Sequence, residues 1–214
     1  MRVYLVRHGE SHLNARQIHQ MSTAGLSALG ARQAGLLARR LAGLEVDTLL
    51  SSPYERARQT AEVVAGAVGQ AIVFTSLLVE LKRPSVIEGR HYEDPEVLAI
   101  KDALVRYAER ADWRHSDEET FGEVTARARE CLALFEGLQR EGRDTVVAIT
   151  HGWFLTMLVA LMLYGDDLRP RDALRLQAFA QVRNTGITRC DRGADGRWTL
   201  VTWNDHAHLD VLGL

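Results

Sequence analysis

The sequence has few of the features that would assign it to a specialised class of protein. Its 214 residues include only two cysteines, Cys131 and Cys190, which lack the spacing of a metal-binding or redox motif. We expect both to be reduced core thiols of a cytoplasmic protein. The net charge of −2 gives no indication of nucleic-acid or membrane binding. The most apolar stretch, residues 153–163, is too short to span a bilayer.

What the sequence does contain is an alternation of short apolar stretches with longer helical patterns. This alternation predicts an α/β fold, a three-layer α/β/α sandwich around a mostly parallel sheet of about six strands. A length of 214 residues and a hydrophobic content of 46% suit one globular domain spanning residues 1–214. No linker rich in proline, glycine or serine divides the chain.

Two of the predicted strands end in a histidine followed by a glycine. The strand Val3–Val6 runs into Arg7-His8-Gly9-Glu10, and residues 144–149 run into Thr150-His151-Gly152. In an open α/β sheet, ligands bind beyond the carboxyl ends of the strands. Both histidines are therefore candidates for a site, although a strand-end histidine can also face water or sit satisfied in the core.

A third candidate follows the predicted strand 46–51, where Ser52 and Pro53 are typical of a helix start, with Ser52 as the N-cap. Arg56 then lies in the first helical turn. Backbone N–H groups at that end of a helix favour anions, so an arginine there suggests an anion site.

These stretches together resemble the histidine phosphatase superfamily, also called phosphoglycerate mutase-like. The resemblance rests on segments that occur in the family's order along nearly the whole chain. The segments are Arg7-His-Gly-Glu10, Leu26-Ser-Ala-Leu-Gly-Ala-Arg-Gln-Ala34, Ser51-Ser-Pro-Tyr-Glu-Arg-Ala-Arg-Gln-Thr-Ala61, His151-Gly152 and Asn204-Asp-His-Ala-His-Leu209. The family's fold implies an antiparallel edge strand, here residues 198–203.

The resemblance also implies roles for individual residues. His8 would be the nucleophile that forms a phosphohistidine, Glu80 the general acid and base, and a protonated His151 the second catalytic histidine. Arg7, Arg56 and Asn14 would bind the phosphate, while Glu10 and Arg83 are possible substrate contacts. Because three cations would surround the phosphoryl group, we predict no metal and no other cofactor. His206 and His208 do not suggest a metal pair, since no carboxylate or cysteine set accompanies them.

The chain departs from phosphoglycerate mutases after Glu80, where residues 82–89 lack the usual aromatic side chains. In the family, inserted segments such as residues 82–119 lie over the mouth of the active site like a lid. We therefore expect a phosphatase that hydrolyses a small phosphomonoester and has no nucleic-acid or membrane partner. The alternatives are a phosphoglycerate mutase and a non-catalytic phospholigand-binding protein.

Overall fold

Six strands form a single sheet in a computed structural model that describes residues 1–110 and 112–213. Their spatial order is β3-β2-β4-β1-β5-β6. The pairs β1/β4, β2/β4 and β2/β3 are parallel, whereas β5 is antiparallel to both β1 and β6. The bounds are β1 Arg2–Arg7, β2 Thr48–Ser51, β3 Ile72–Phe74, β4 Thr145–Thr150, β5 Ile187–Arg192 and β6 Trp198–Asp205. The predicted mostly parallel sheet is confirmed, and residues 198–203 do lie in the edge strand, but the strand that runs against the others is its neighbour β5.

Helices cover both faces of this sheet because successive side chains of a strand point to opposite faces. In β4, which is buried along its whole length, Val146 and Ala148 belong to one core and Val147 and Ile149 to the other. The first core packs against α5, α6 and α7 and the second against α2 and α3. The bounds are α1 His12–Ala15, α2 Ala28–Leu41, α3 Glu55–Val68, α4 Pro95–Arg106, α5 Phe121–Arg140, α6 Gly152–Tyr164 and α7 Pro170–Phe179. The predicted three-layer sandwich is confirmed.

A glycine lets α2 pack directly against the turn that follows β1. A Cβ atom on Gly30 would lie 1.9 Å from the backbone oxygen of Glu10, so only glycine fits there. The same oxygen accepts a hydrogen bond from the Ser27 N–H at 2.8 Å, and the Ser27 hydroxyl caps α2 by accepting from the Gly30 N–H. This close contact fixes the backbone beside His8.

The sequence pattern and the structure differ in two local details. Helix α3 begins at Glu55 with Tyr54 at its N-cap, so Ser52 is not the cap. Residues 11–26 have no clear periodicity in the sequence, but Ser11 caps the short helix α1. Helix α4 ends at Arg106, and residues 111 and 214 of the predicted domain 1–214 lie outside the described residues.

The segment 112–119 is less exposed than its polar sequence suggests. Glu118 is only 4% exposed. Its carboxylate accepts hydrogen bonds from the N–H groups of His115 and Ser116. These local bonds satisfy the charge where it is buried. Among the described residues, no helix has both the length and the apolar character needed to cross a membrane.

Candidate active site

The two strand-end histidines meet because β1 and β4 are neighbouring parallel strands. Arg7 pairs with Thr150 in the sheet register, and the His8 N–H donates to the Thr150 carbonyl at 3.0 Å. His8 and His151 follow these paired residues, and their ring centroids are 5.0 Å apart. Both rings are buried, at 2% and 0% exposure. The sheet therefore brings two imidazoles of distant sequence position into one site.

The hydrogen bonds of His8 define its neutral tautomer. Its Nδ1 lies 2.7 Å from the Gly9 carbonyl, which can only accept, so Nδ1 carries the proton. Its Nε2 accepts a hydrogen bond from the Arg56 Nε at 3.0 Å and therefore bears a lone pair. Burial, followed by the charges of Arg56 and Arg7, holds the pKa of His8 well below its usual value. The ring is thus neutral at physiological pH, as a nucleophile must be.

Arg56 connects both histidines through one buried guanidinium. Besides its bond to His8, its Nη2 donates to His151 Nδ1 at 3.1 Å and its Nη1 to the Met21 carbonyl at 3.0 Å. Burial lowers the pKa of Arg56 to about 10, so the side chain remains charged at neutral pH. A guanidinium has about five N–H donors. With three engaged, two remain for an anionic ligand.

The hydrogen bonds of His151 define a neutral tautomer, while the protonated ring expected during phosphoryl transfer stays a prediction. Because Nδ1 accepts from Arg56, Nε2 carries the proton and donates to the Ser52 hydroxyl at 2.8 Å. Burial is the main cause that lowers the pKa of His151 well below its usual value, and the positive charge of Arg56 adds to it. Ser52, predicted as a helix cap, instead orients this imidazole.

Arg7 and Asn14 both face the same cavity as His8. The Arg7 Nη1 donates to the Val182 carbonyl at 2.6 Å, whereas its buried Nε has no hydrogen-bond partner among the described residues. The Asn14 Oδ1 is also buried without a described partner. Buried polar atoms are normally bonded, so the unpartnered Arg7 N–H is a donor that an anionic ligand could engage.

The Glu80 carboxylate lies at the N-terminus of α6 and faces the cavity. Its Oε1 accepts from the N–H groups of Leu81 at 2.9 Å and Phe154 at 3.0 Å, whereas Oε2 accepts only from the Trp153 N–H at 3.3 Å. A carboxylate oxygen has about two lone-pair positions. Oε2 therefore keeps one free position that could hold a proton.

Glu10 does not line the cavity, although it belongs to the opening motif. Its carboxylate accepts a hydrogen bond from the Ser27 hydroxyl at 2.7 Å, at the start of α2. The cavity has a volume of about 480 Å³, and Glu10 is not among the residues that line it, whereas Arg83 is. The predicted site residues that line the cavity are Arg7, His8, Asn14, Arg56, Glu80 and Arg83. His151 does not line it but packs against His8.

Comparison with known proteins places this site in a family. The model of the histidine phosphatase superfamily (branch 1) matches residues 3–206. The chain belongs to this superfamily. It is 35% identical to a protein of Escherichia coli O139:H28 (strain E24377A) named probable phosphoglycerate mutase GpmB, over 100% of this chain and 97% of that protein.

Solved structures of the superfamily share the fold of this chain. The mycobacterial glucosyl-3-phosphoglycerate phosphatase superimposes with a TM-score of 0.80 at 24% identity, over 95% of this chain and 98% of that chain. The α-ribazole phosphatase of Shigella flexneri gives a TM-score of 0.76 at 24% identity, over 96% of both chains. The family match and the 35%-identical relative indicate that this protein is an enzyme that acts on phosphate esters.

Two residues without a predicted role, Asn184 and Thr185, hold the backbone of Arg7 and His8 through hydrogen bonds. The Asn184 side-chain amide donates to the His8 carbonyl at 2.9 Å, and the Thr185 N–H donates to the Arg7 carbonyl at 2.9 Å. Thr185 is fully buried and has a φ of 58°, a left-handed conformation that is unfavourable for a β-branched residue. The strained residue, Thr185, is therefore the one whose N–H holds the Arg7 carbonyl in place.

The neutral histidines predict a loss of stability in mild acid. Below about pH 6.5 the unfolded chain protonates these histidines, whereas native His8 and His151 stay neutral. The unfolded state then binds more protons, so the free energy of unfolding should fall with pH by up to about 1.4 kcal/mol per pH unit for each histidine. Urea unfolding between about pH 7.5 and 5.5 measures this. The dependence of the free energy of unfolding on pH should be weaker in His151→Asn. A free energy of unfolding that is the same at every pH in this range would contradict the prediction.

Proposed function

We propose that the chain hydrolyses a small phosphomonoester through a phosphohistidine on His8, without a metal ion. The observation that supports this best is the tautomer of His8, whose unprotonated Nε2 belongs to a cavity-lining ring and accepts a hydrogen bond from Arg56. A ligand-binding protein would need the arginines but not an unprotonated nucleophile. Phosphoryl transfer depends mainly on positioning and charge neutralisation, which these residues can supply.

In the first step, the Arg56 Nε exchanges its hydrogen bond to His8 Nε2 for one to a phosphoryl oxygen. His8 Nε2 then attacks phosphorus while the bond from phosphorus to the ester oxygen breaks. Arg7, Arg56 and Asn14 hold the equatorial oxygens, and a proton on Glu80 Oε2 passes to the leaving oxygen. The ester brings negative charge to the site, which favours protonation of His151 in the complex. We therefore retain a protonated His151 for the substrate complex only.

In the second step, water attacks the phosphohistidine and gives its proton to the Glu80 carboxylate. Inorganic phosphate leaves, and both His8 and Glu80 return to their starting forms. We also propose that residues 82–119 act as a lid over the cavity, because Arg83 and Lys101 of this segment form part of its wall. The two buried free thiols, Cys131 and Cys190, support the prediction of a cytoplasmic protein.

Phosphoglycerate mutase is the second candidate, because the full-length relative at 35% identity carries that name. A mutase must retain its product and exclude water until the phosphoryl group returns. The cavity of about 480 Å³ is large for a three-carbon phosphate and leaves room for water, which favours hydrolysis.

The deciding experiment is a turnover assay in the presence of a chelator. We expect inorganic phosphate to be released from 4-nitrophenyl phosphate and from members of a panel of natural phosphomonoesters, at rates that the chelator does not change. Interconversion of phosphoglycerates without net phosphate release would identify a mutase instead. Binding without either reaction would favour the non-catalytic alternative, and activity only with added metal would contradict the proposed metal independence.

A further inference from the structure

The segment that carries the proposed general acid is irregular, and side chains hold its backbone. The Leu78 carbonyl accepts a hydrogen bond from the Thr150 hydroxyl at 2.7 Å. The carbonyls of Leu77 and Val79, on either side of it, both accept from Arg127 Nη1, at 3.1 and 2.8 Å. Backbone carbonyls that are withdrawn from water need donors, and outside a helix or strand side chains can supply them. Arg127 therefore fixes the backbone directly before the carboxylate that we assign to proton transfer.

Arg127, on α5, is itself held by Glu119 in an ion pair with two hydrogen bonds. Its Nε and Nη2 donate to the two carboxylate oxygens of Glu119 at 2.8 and 2.7 Å, and both side chains are mostly buried. Paired N–H···O bonds of this kind fix the orientation of both side chains. Because Glu119 neutralises the guanidinium, the pair supplies hydrogen bonds without leaving a net positive charge near an acid that must hold a proton.

Glu119 also binds the chain just after Glu80. Its Oε2 accepts from the Lys82 N–H at 2.9 Å, and its own N–H donates to the Lys82 carbonyl at 3.1 Å. Lys82 and Glu119 are the two ends of the lid segment, so these bonds close the base of the lid. Through Arg127 before it and Glu119 after it, one pair of side chains holds the backbone on both sides of Glu80.

The carboxylate of Glu80 is held in turn by the N-terminus of α6. The N–H groups of Trp153 and Phe154 have no partner within the first turn of the helix, and the N-cap residue His151 makes no side-chain cap bond. Both N–H groups donate to Glu80 instead. The Arg127 guanidinium lies over the Phe154 ring, 4.1 Å from its centroid. Arg127 therefore contacts both the segment before the carboxylate and the helix that binds it.

We propose that the Arg127–Glu119 pair positions Glu80 for proton transfer to the leaving group. Arg127 and Glu119 are positioning residues, since neither lines the cavity to which His8 and Glu80 belong. The inference rests on the proposed function, in which Glu80 is the general acid. A displacement of about 1 Å can cost about 100-fold in rate, so loosening this pair should slow the step that needs the proton.

The kinetic test uses variants that loosen the pair without removing it. Arg127→Lys keeps the cation but loses the planar fork, and Glu119→Gln keeps an acceptor for the Lys82 N–H. We expect each variant to lower kcat/KM for alkyl phosphates by about 10- to 100-fold, and for 4-nitrophenyl phosphate by less than about threefold. A pair that merely stabilised the fold would lower both values equally.

Combination with Glu80→Gln separates an effect on Glu80 from an effect elsewhere in the site. Once the acid has been removed, Arg127→Lys should cause no further loss of kcat/KM with alkyl phosphates. Arg129→Met is the matched control, because Arg129 lies on the same helix and pairs with Asp166 on an exposed surface. This control should leave kcat/KM unchanged for both substrate classes.

Hydrogen exchange, measured by NMR, reports the position of Glu80 without turnover. The backbone N–H groups of Leu81 and Phe154 both donate to its Oε1, so they should exchange about tenfold faster in Arg127→Lys and in Glu119→Gln. The N–H groups of the central strand β4 should keep their exchange rates, because only a loss of overall stability would raise those as well.

Equal losses of kcat/KM on both substrate classes would overturn the positioning role, as would a full further loss in the Glu80→Gln background. Unchanged exchange at Leu81 and Phe154 would also overturn it. Faster exchange at these two N–H groups in a protein whose wild type hydrolyses nothing would uphold the positioning of Glu80 and refute the proposed function. A leaving-group effect in Glu80→Gln that is absent from the Arg127 and Glu119 variants would do the reverse.

Discussion

Replacing His8 with alanine is expected to lower phosphate release by about four orders of magnitude or more. The variant loses the Nε2 lone pair, and no other described group in the cavity stands in the same position between Arg56 and Arg7. No phosphohistidine should then be trapped when the reaction is stopped in alkali, whereas the wild type should give one. Quenched-flow trapping and steady-state phosphate release measure the two effects.

The fold should survive this change, because the backbone of His8 makes the contacts that hold the turn. Its N–H bonds to Thr150 and its carbonyl to Asn184, and alanine keeps both. Arg56 retains its bonds to Met21 and His151. His115→Ala, which removes an exposed imidazole, is the control and should keep full activity. Full activity in His8→Ala with a normal melting curve would refute the proposed nucleophile.

The parts of the site that could be predicted are those that depend on regular structure. Parallel neighbouring strands place their carboxyl ends together, so His8 and His151 could be paired from sequence. Arg56 could be assigned from its place in the first turn of a helix, although the predicted N-cap, Ser52, lies two residues before the observed one, Tyr54. For His8, His151 and Arg56, the family motifs and the order of strands and helices predict the same site.

The remainder depended on contacts between irregular segments, which no periodic pattern reveals. His19 enters the cavity because its loop pairs with the backbone of Gly89 and Arg90. Glu10 lies within the opening motif, but the close packing on Gly30 directs its carboxylate to Ser27 instead. In both cases the local sequence gave the residue type, while the tertiary contact determined which way the side chain pointed.

Replacing Glu80 with glutamine is expected to separate substrates according to their leaving groups. An alkoxide leaves poorly without a proton, so kcat/KM for alkyl phosphates should fall by about 100- to 10,000-fold. 4-Nitrophenolate needs little protonation, so kcat/KM for 4-nitrophenyl phosphate should change by less than about tenfold. Because kcat/KM reports the steps through departure of the leaving group, it isolates the acid role of Glu80.

The same variant should expose the second role of Glu80 as the base that activates water. With 4-nitrophenyl phosphate, a rapid burst of nitrophenol should precede a slow steady state, because the phosphohistidine accumulates when its hydrolysis is impaired. Glutamine can keep the two bonds that Glu80 Oε1 accepts from Leu81 and Phe154, so the local structure should persist. Glu88→Gln, in the same cavity, should affect both substrate classes equally. If Glu80→Gln lowers kcat/KM equally for both classes and shows no burst, Glu80 is not the acid, and the proton must come from another group in the cavity.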